Sequence, residues 1–206
     1  MSDTIGFLGP EGTNSELALD FYIKTKHIKT YKKPFASIEA LFNALTQKQI
    51  EAVLMPIENS TEGSVSTVLD TWLHYDNVYI NDAFFFPIHY NLYTPTEQID
   101  TPITCLISHP QCLAQCQNYL QKHYPDAIHI PSSSSAGALL MLDALKKEHQ
   151  GIGIIGNNNL NHYQQLTCLK KQIEDQKDNK TLFGLLETTH NKNISHTFTS
   201  LVFSTP

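Results

Sequence analysis

Short apolar runs alternate with stretches of helical period along almost the whole chain, and this alternation limits the fold more than any other feature. Ile5 to Leu8 reads as a strand. Thr13, with Glu16 three residues on, has the spacing of a capping box and opens a helix whose inner face would be Leu17, Ala18, Phe21 and Tyr22. A second helix starts near Ser37 and buries Ile38, Leu41, Phe42 and Leu45. Val53 to Met55 reads as a strand ending at Pro56. A third helix begins around Gly63-Ser64 and buries Val65, Val68, Leu69 and Trp72. Val78 to Phe86 and Ile88 to Tyr93 are β-rich runs.

The second half repeats the theme. Cys105 to Ile107 is a strand, and Pro110 suits the first turn of a helix running to about Lys122. Ala127 to Ile130 is a strand, and Ser132 to Ser135 lead into a helix carrying Leu139, Leu142 and Leu145. Gly151 to Ile155 is a strand, followed by a short helix from Asn157 and a strand around Thr167 to Leu169. Ile173 to Lys180 is a polar loop, and Thr181 to Leu186 and Phe198 to Ser204 are late strands. Two rounds of alternation around a long middle β region predict an α/β protein of two lobes. Extended crossings near residues 82–88 and 175–183 would join them. Lobe 1 is expected over 1–83 with 181–206 and lobe 2 over 84–180, with ligands in a central cleft beyond the strand ends.

Composition sets the bounds on function. With 41 % hydrophobic residues in 206, a real core is within reach. A net charge of −6 argues against a nucleic-acid partner, which needs a basic face. No apolar run approaches the roughly 18 residues of a membrane span, and Phe84 to Phe86 and Ile152 to Ile155 are strand-sized. The N-terminus is not a basic stretch followed by an apolar one, so no secretory signal is expected. Cys105, Cys112, Cys116 and Cys168 are accordingly read as free thiols in a reducing cytoplasm, with Cys112 and Cys116 as small residues on one helix. All 14 basic residues are lysines. Bidentate guanidinium capture of an anion is unavailable, so a carboxylate would be held by Lys, backbone N–H groups, hydroxyls or amides.

Four polar clusters stand where a strand meets a helix: Gly9-Pro10-Glu11-Gly12-Thr13-Asn14-Ser15, Pro56 to Ser64, Ser108-His109-Pro110-Gln111, and Ser132 to Ser135. Each can cap a helix; the second carries more carboxylate, amide and hydroxyl groups than a cap needs. No dinucleotide fingerprint, P-loop, nucleophile elbow or zincin motif is present.

Taken together and in this order, Gly9-Pro10-Glu11-Gly12-Thr13, Pro56-Ile57-Glu58-Asn59-Ser60 with Gly63-Ser64-Val65, Pro87-Ile88-His89, and Ser108-His109-Pro110-Gln111 with Leu113-Ala114-Gln115-Cys116 resemble prephenate dehydratases. Ile173 to Phe183, with Asp175, Asn179 and Thr181, is similar to that family's closing motif. The resemblance covers roughly residues 4–186. It implies a fold similar to type II periplasmic binding proteins and a lyase that converts prephenate to phenylpyruvate, water and CO₂, the committed step of phenylalanine biosynthesis. It implies no metal or organic cofactor, a small-molecule partner and a tendency to self-associate. By match to the motifs, Thr181, Glu58 and Asn59 are the expected catalytic residues, with Thr181 the donor toward the departing hydroxyl. Thr13, Ser60, Gly63, Ser64, His89, Gln111, Ser134, Ser135 and Phe183 are the expected substrate-binding residues.

The chain departs from the family at defined places. The family's Thr-Arg-Phe is Thr181-Leu182-Phe183 here, and Lys180, beside it, is read as pointing to the opposite strand face. Asn14 stands where an aromatic is usual, and Ser134-Ser135-Ala136 replaces Ser-Thr-Ala. Thr199 to Pro206 resembles the opening strand of a phenylalanine-binding ACT domain, so no complete ACT domain and no feedback through it are expected. A non-aromatising prephenate decarboxylase, an arogenate dehydratase and a non-catalytic binding protein of the same fold remain open alternatives.

Overall fold

The computed structural model describes residues 3–190. The expected strand over Phe198 to Ser204, and the ACT-like segment with it, lie outside the described residues. The chain forms a mixed α/β structure with two sheets, in two compact units. One holds residues 3–8, 18–86 and 180–190; the other holds 9–17 and 87–179.

The first unit is built on a six-stranded sheet from β1 (Thr4–Leu8), β2 (Tyr31–Phe35), β3 (Ala52–Asn59), β4 (Gly63–Ser64), β5 (Tyr79–Pro87) and β11 (Lys180–Glu187). Its order is β2-β1-β3-β11-β5, with β4 hairpinned onto β3. β1 runs parallel to β2 and β3, and β11 antiparallel to β3. Alternation along β3 sends Val53 and Met55 to one face, against Leu41, Leu45 and Val68 of α2 (Ile38–Thr46) and α3 (Ser66–Trp72). Ala52 and Leu54 go to the other face, with Ala18, Leu19 and Tyr22 of α1 (Asn14–Lys26).

The second unit has a five-stranded sheet of order β10-β6-β9-β7-β8. Its strands are β6 (Asn91–Pro95), β7 (Cys105–Ser108), β8 (Ile128–Pro131), β9 (Ile152–Gly156) and β10 (Leu166–Lys170). β6 and β9 are buried along their whole length, as interior strands covered on both faces are. Ala138 and Leu142 of α6 (Ser135–Leu145) pack on Ile107, Ile152 and Ile154.

Several expectations shift. Phe21 is 44 % exposed and lies against Phe84 and Phe86, while Leu19 takes the inner place on α1. β2 escaped the pattern because it is an exposed edge carrying Lys32, Lys33 and Pro34, residues that mark edges rather than interiors. The strand expected to stop at Pro56 continues to Asn59, because β1 pairs only as far as Leu54 and the missing N–H breaks no bond on that side. Gly63-Ser64 forms β4, so α3 starts at Ser66. The strand expected at Ile88 to Tyr93 is displaced to Asn91–Pro95. The helix expected from Pro110 to Lys122 breaks at Cys116 into α4 (Pro110–Gln115) and α5 (Gln117–His123).

Gly151 opens β9 at φ 75°, and a Cβ there would run into the Pro102 carbonyl. Gly63 has φ 81° but open space around it. Gly151→Ala should therefore cost about 3 kcal/mol or more, strain and overlap together, against about 1 kcal/mol for Gly63→Ala. Urea unfolding midpoints compare the two; equal losses would show that the Pro102 contact is not decisive.

Candidate active site

In the first unit the end of β3 is shaped by one extra residue. Phe183 of β11 stands opposite Pro56, Leu182 opposite Glu58 and Thr181 opposite Asn59, so Ile57 has no partner and forms a bulge. Without it, Thr181 would face Glu58. With it, Asn59 shares the face of Thr181, and its Nδ2 donates to Thr181 Oγ1 at 2.9 Å. The orientation of the Asn59 amide is fixed from its other end, because Oδ1 accepts the Thr61 and Glu62 N–H groups at 2.9 and 3.2 Å. The amide nitrogen must then point toward Thr181 and the Lys180 carbonyl. Among the described residues this is the only side-chain hydrogen bond of Thr181. It fills a lone pair of the hydroxyl and leaves the hydroxyl's own proton to donate.

Ser60 ties the same corner together. Its N–H donates to the Lys180 carbonyl at 2.9 Å, and its hydroxyl accepts the Lys180 N–H at 3.0 Å. Glu58, Gly63 and Ser64 are exposed on the β3–β4 hairpin, Glu58 opposite Ser64 and Asn59 opposite Gly63. Phe183 corrects an expectation. It is 1 % exposed and packs with Leu54, Phe84 and Phe86, so it anchors β11 and has no open face to offer a ligand. Lys180 corrects another. It lies two residues from Leu182 and so on the same strand face, opposite to Thr181 and Phe183. Leu182 packs on the α2/α3 side, and the Lys180 ammonium sits 4.7 Å from the centre of the Phe85 ring.

In the second unit, Gly9 to Leu17 is held by Asn157, which is 4 % exposed. Its Nδ2 donates to the Gly12 carbonyl at 2.9 Å and to Asn14 Oδ1 at 3.0 Å, and its Oδ1 accepts the Asn159 N–H. Glu16 accepts from the Gly12 N–H at 2.7 Å, which closes the loop around the half-buried Thr13. Asn14, where relatives were expected to carry an aromatic, is thus a partner in this clamp.

His89 is partly exposed, and its Nδ1 lies 2.9 Å from Glu174 Oε1. The loop at Ile173 to Asn179 is polar but not loose. Ile173 and Glu174 are 1 % exposed and Asn179 2 %. Asp175 accepts from the Asn118 and Tyr119 N–H groups at the start of α5, and Asn179 donates to Gln115 Oε1. Gln111 is exposed in the first turn of α4, capped by His109 Nδ1. Ser134 is the N-cap of α6 and accepts the Gly137 N–H at 2.9 Å, and Ser135 is the first residue of that helix.

Burial pushes the Cys116 thiol well above the ordinary range, with Cys112, Glu174 and Asp175 adding to the shift. Among the described residues no three His, Cys, Asp or Glu side chains are grouped to hold a metal. No helix among them is long and apolar enough to cross a membrane.

Sequence reasoning missed Asn157 and Glu174. The one signal for Glu174 was Ile173, an apolar residue at the head of a polar stretch, which marks a loop pinned to a core. The sequence marks Asn157 only as the start of a short helix, which it caps by accepting the Asn159 N–H.

A family model described as prephenate dehydratase matches residues 5–191. A bifunctional chorismate mutase/prephenate dehydratase of Pseudomonas aeruginosa is 34 % identical over 182 residues, 88 % of this chain and 48 % of the relative. A prephenate dehydratase of Lactococcus lactis is 32 % identical over 185 residues, 88 % of this chain and 62 % of the relative. The chain therefore spans about half to two thirds of the length of these curated relatives. Among solved structures, a prephenate dehydratase from Arthrobacter aurescens in complex with L-Phe superposes with a TM-score of 0.82 at 25 % identity, over 94 % of this chain and 62 % of that one.

Asn157→Ala removes three hydrogen bonds from a buried position and should lower stability by about 2 kcal/mol. Backbone amide exchange at Gly12 and Thr13 should quicken with it. Unchanged exchange there would show that the turn is held by other means.

Proposed function

The chain belongs to the prephenate dehydratase family, and on that premise and the Asn59–Thr181 geometry we propose that it converts prephenate to phenylpyruvate, water and CO₂. The observation that carries the reading is the 2.9 Å bond from Asn59 Nδ2 to Thr181 Oγ1, which turns the threonine into an oriented donor.

Prephenate is a dianion whose ring carries a carboxylate and, para to it, a hydroxyl. Loss of both leaves an aromatic ring, so the driving force is in the substrate. The protein's task is to hold two carboxylates, ease departure of the hydroxyl and keep water out. Thr181 donates its proton in a hydrogen bond to the departing oxygen. A threonine is too weak an acid for full transfer, so charge on the leaving group is stabilised rather than neutralised beforehand. As the C–O bond breaks, the electrons of the ring C–CO₂ bond flow into the ring, CO₂ leaves, and the departing hydroxide takes a proton from solvent to become water. Glu58 is a further catalytic residue in this reading.

The chain has no arginine for bidentate capture, and carboxylate recognition is assigned to backbone N–H groups and to neutral side chains. Thr13, Ser60, Gly63, Ser64, Gln111, Ser134 and Ser135 are proposed for that role, and His89 for contact with the substrate's hydroxyl. Lys180 is directed to Phe85 and is not among them. Self-association and a cytoplasmic location complete the proposal.

Incubation with prephenate followed by product identification tests the activity. Phenylpyruvate is the expected product. A dihydro-hydroxyphenylpyruvate would assign a decarboxylase that keeps the hydroxyl, and stabilisation by prephenate without turnover would assign a binding protein. Thr181→Val should lower kcat by about 100-fold or more and change KM by less than about threefold. Equal losses in both would make Thr181 a binding or packing residue.

A further inference from the structure

Glu174 is the most deeply buried carboxylate with a polar partner in the second unit, at 1 % exposure. Its Oε2 accepts the Tyr90 N–H at 2.9 Å, and its Oε1 lies 2.9 Å from His89 Nδ1. The two segments that carry this pair are laced to each other on both sides. The Ile173 N–H donates to the Tyr90 carbonyl at 2.8 Å, and the Ile88 N–H to the Asn179 carbonyl at 2.9 Å. The main-chain segments that carry the carboxylate and the imidazole are therefore held against each other, and the side chains are joined by the His89–Glu174 and Tyr90–Glu174 bonds.

A carboxylate accepts at both oxygens and donates at neither. One oxygen is taken by a backbone donor that cannot change its role. The other then requires a hydrogen on His89 Nδ1. We infer that Glu174 is a positioning residue that locks the neutral ring of His89 in the Nδ1–H form, so that Nε2 is presented as a hydrogen-bond acceptor to the substrate. The inference rests on the dehydratase reading for the identity of that substrate. A prephenate dianion carries one hydrogen-bond donor, its ring hydroxyl, and every other polar atom on it is an acceptor. An acceptor at Nε2 therefore selects the face and edge of the substrate that bears the hydroxyl. A ring with the hydrogen on Nε2 would donate instead, which suits every oxygen of the substrate alike, and the selection for the hydroxyl would be lost.

Glu174→Gln is the discriminating change because it keeps shape and removes one acceptor. If the glutamine oxygen takes the Tyr90 N–H, its NH₂ faces Nδ1 and drives the hydrogen to Nε2. The expected ¹⁵N spectrum of His89 in the wild-type protein without substrate shows a protonated nitrogen at Nδ1 and an unprotonated one at Nε2, and Glu174→Gln exchanges the two. With prephenate, Glu174→Gln should raise KM about tenfold, the scale of one hydrogen bond, with kcat changed less than about threefold. In a His89→Gln background, whose amide oxygen accepts at the Nε2 position without help, Glu174→Gln should add no further rise in KM. A wild-type spectrum with the hydrogen on Nε2, or a Glu174→Gln spectrum unchanged from wild type, overturns the inference whatever the activity. Multiplying KM effects in the double variant overturn it too. The expected spectra in a protein that leaves prephenate untouched would overturn the dehydratase reading and leave the locking of the ring by Glu174 standing.

Discussion

The unmatched Ile57 in β3 decides which side chain meets Thr181. A strand has a period of two, so a single extra residue exchanges the faces of everything beyond it. In a regular ladder the partner of Thr181 would be the carboxylate of Glu58, an acceptor to which the hydroxyl would give up its proton. The bulge substitutes an amide whose nitrogen donates and leaves that proton free. The same offset turns the chain into the β4 hairpin, where Val65 N–H closes on the Ile57 carbonyl at 2.9 Å. The geometry of the candidate site is thus a consequence of register before it is a consequence of side-chain identity.

Donor and acceptor complementarity orients two side chains of this chain. Asn59 is oriented because two backbone N–H groups occupy its oxygen. Glu174 is defined as a double acceptor because a backbone N–H occupies one of its oxygens. In both cases an unchangeable main-chain group fixes the polarity of a side chain, and that side chain fixes a second one, Thr181 or His89.

Much of this was legible in the sequence. Alternating apolar periods gave the α/β class, and the N-caps at Ser37 and Ser134 and the inner face of α2 follow from local spacing. The motif blocks named Asn59 and Thr181. The bulge was not legible, because a one-residue offset leaves no mark in composition; reading β3 as ending at Pro56 was its direct result. Lys180 shares a strand face with Leu182, because side chains two residues apart point the same way. Asn157 and Glu174 act through burial and partners far along the chain, which no local pattern records. Phe183 was carried over with its motif as a ligand contact, whereas its neighbours Phe84 and Phe86 already offered an aromatic core for it.

Turnover of prephenate by Asn59→Asp is the most direct measure of what Asn59 does for Thr181. An aspartate at 59 still accepts the Thr61 and Glu62 N–H groups, so the hairpin stays in place, but it cannot donate to Thr181 and instead draws the hydroxyl proton to itself. The expected kcat is as low as that of Thr181→Val, and the double variant loses nothing more. Turnover near wild type, or losses that multiply in the double variant, would contradict the claim that Asn59 works by orienting the threonine hydroxyl.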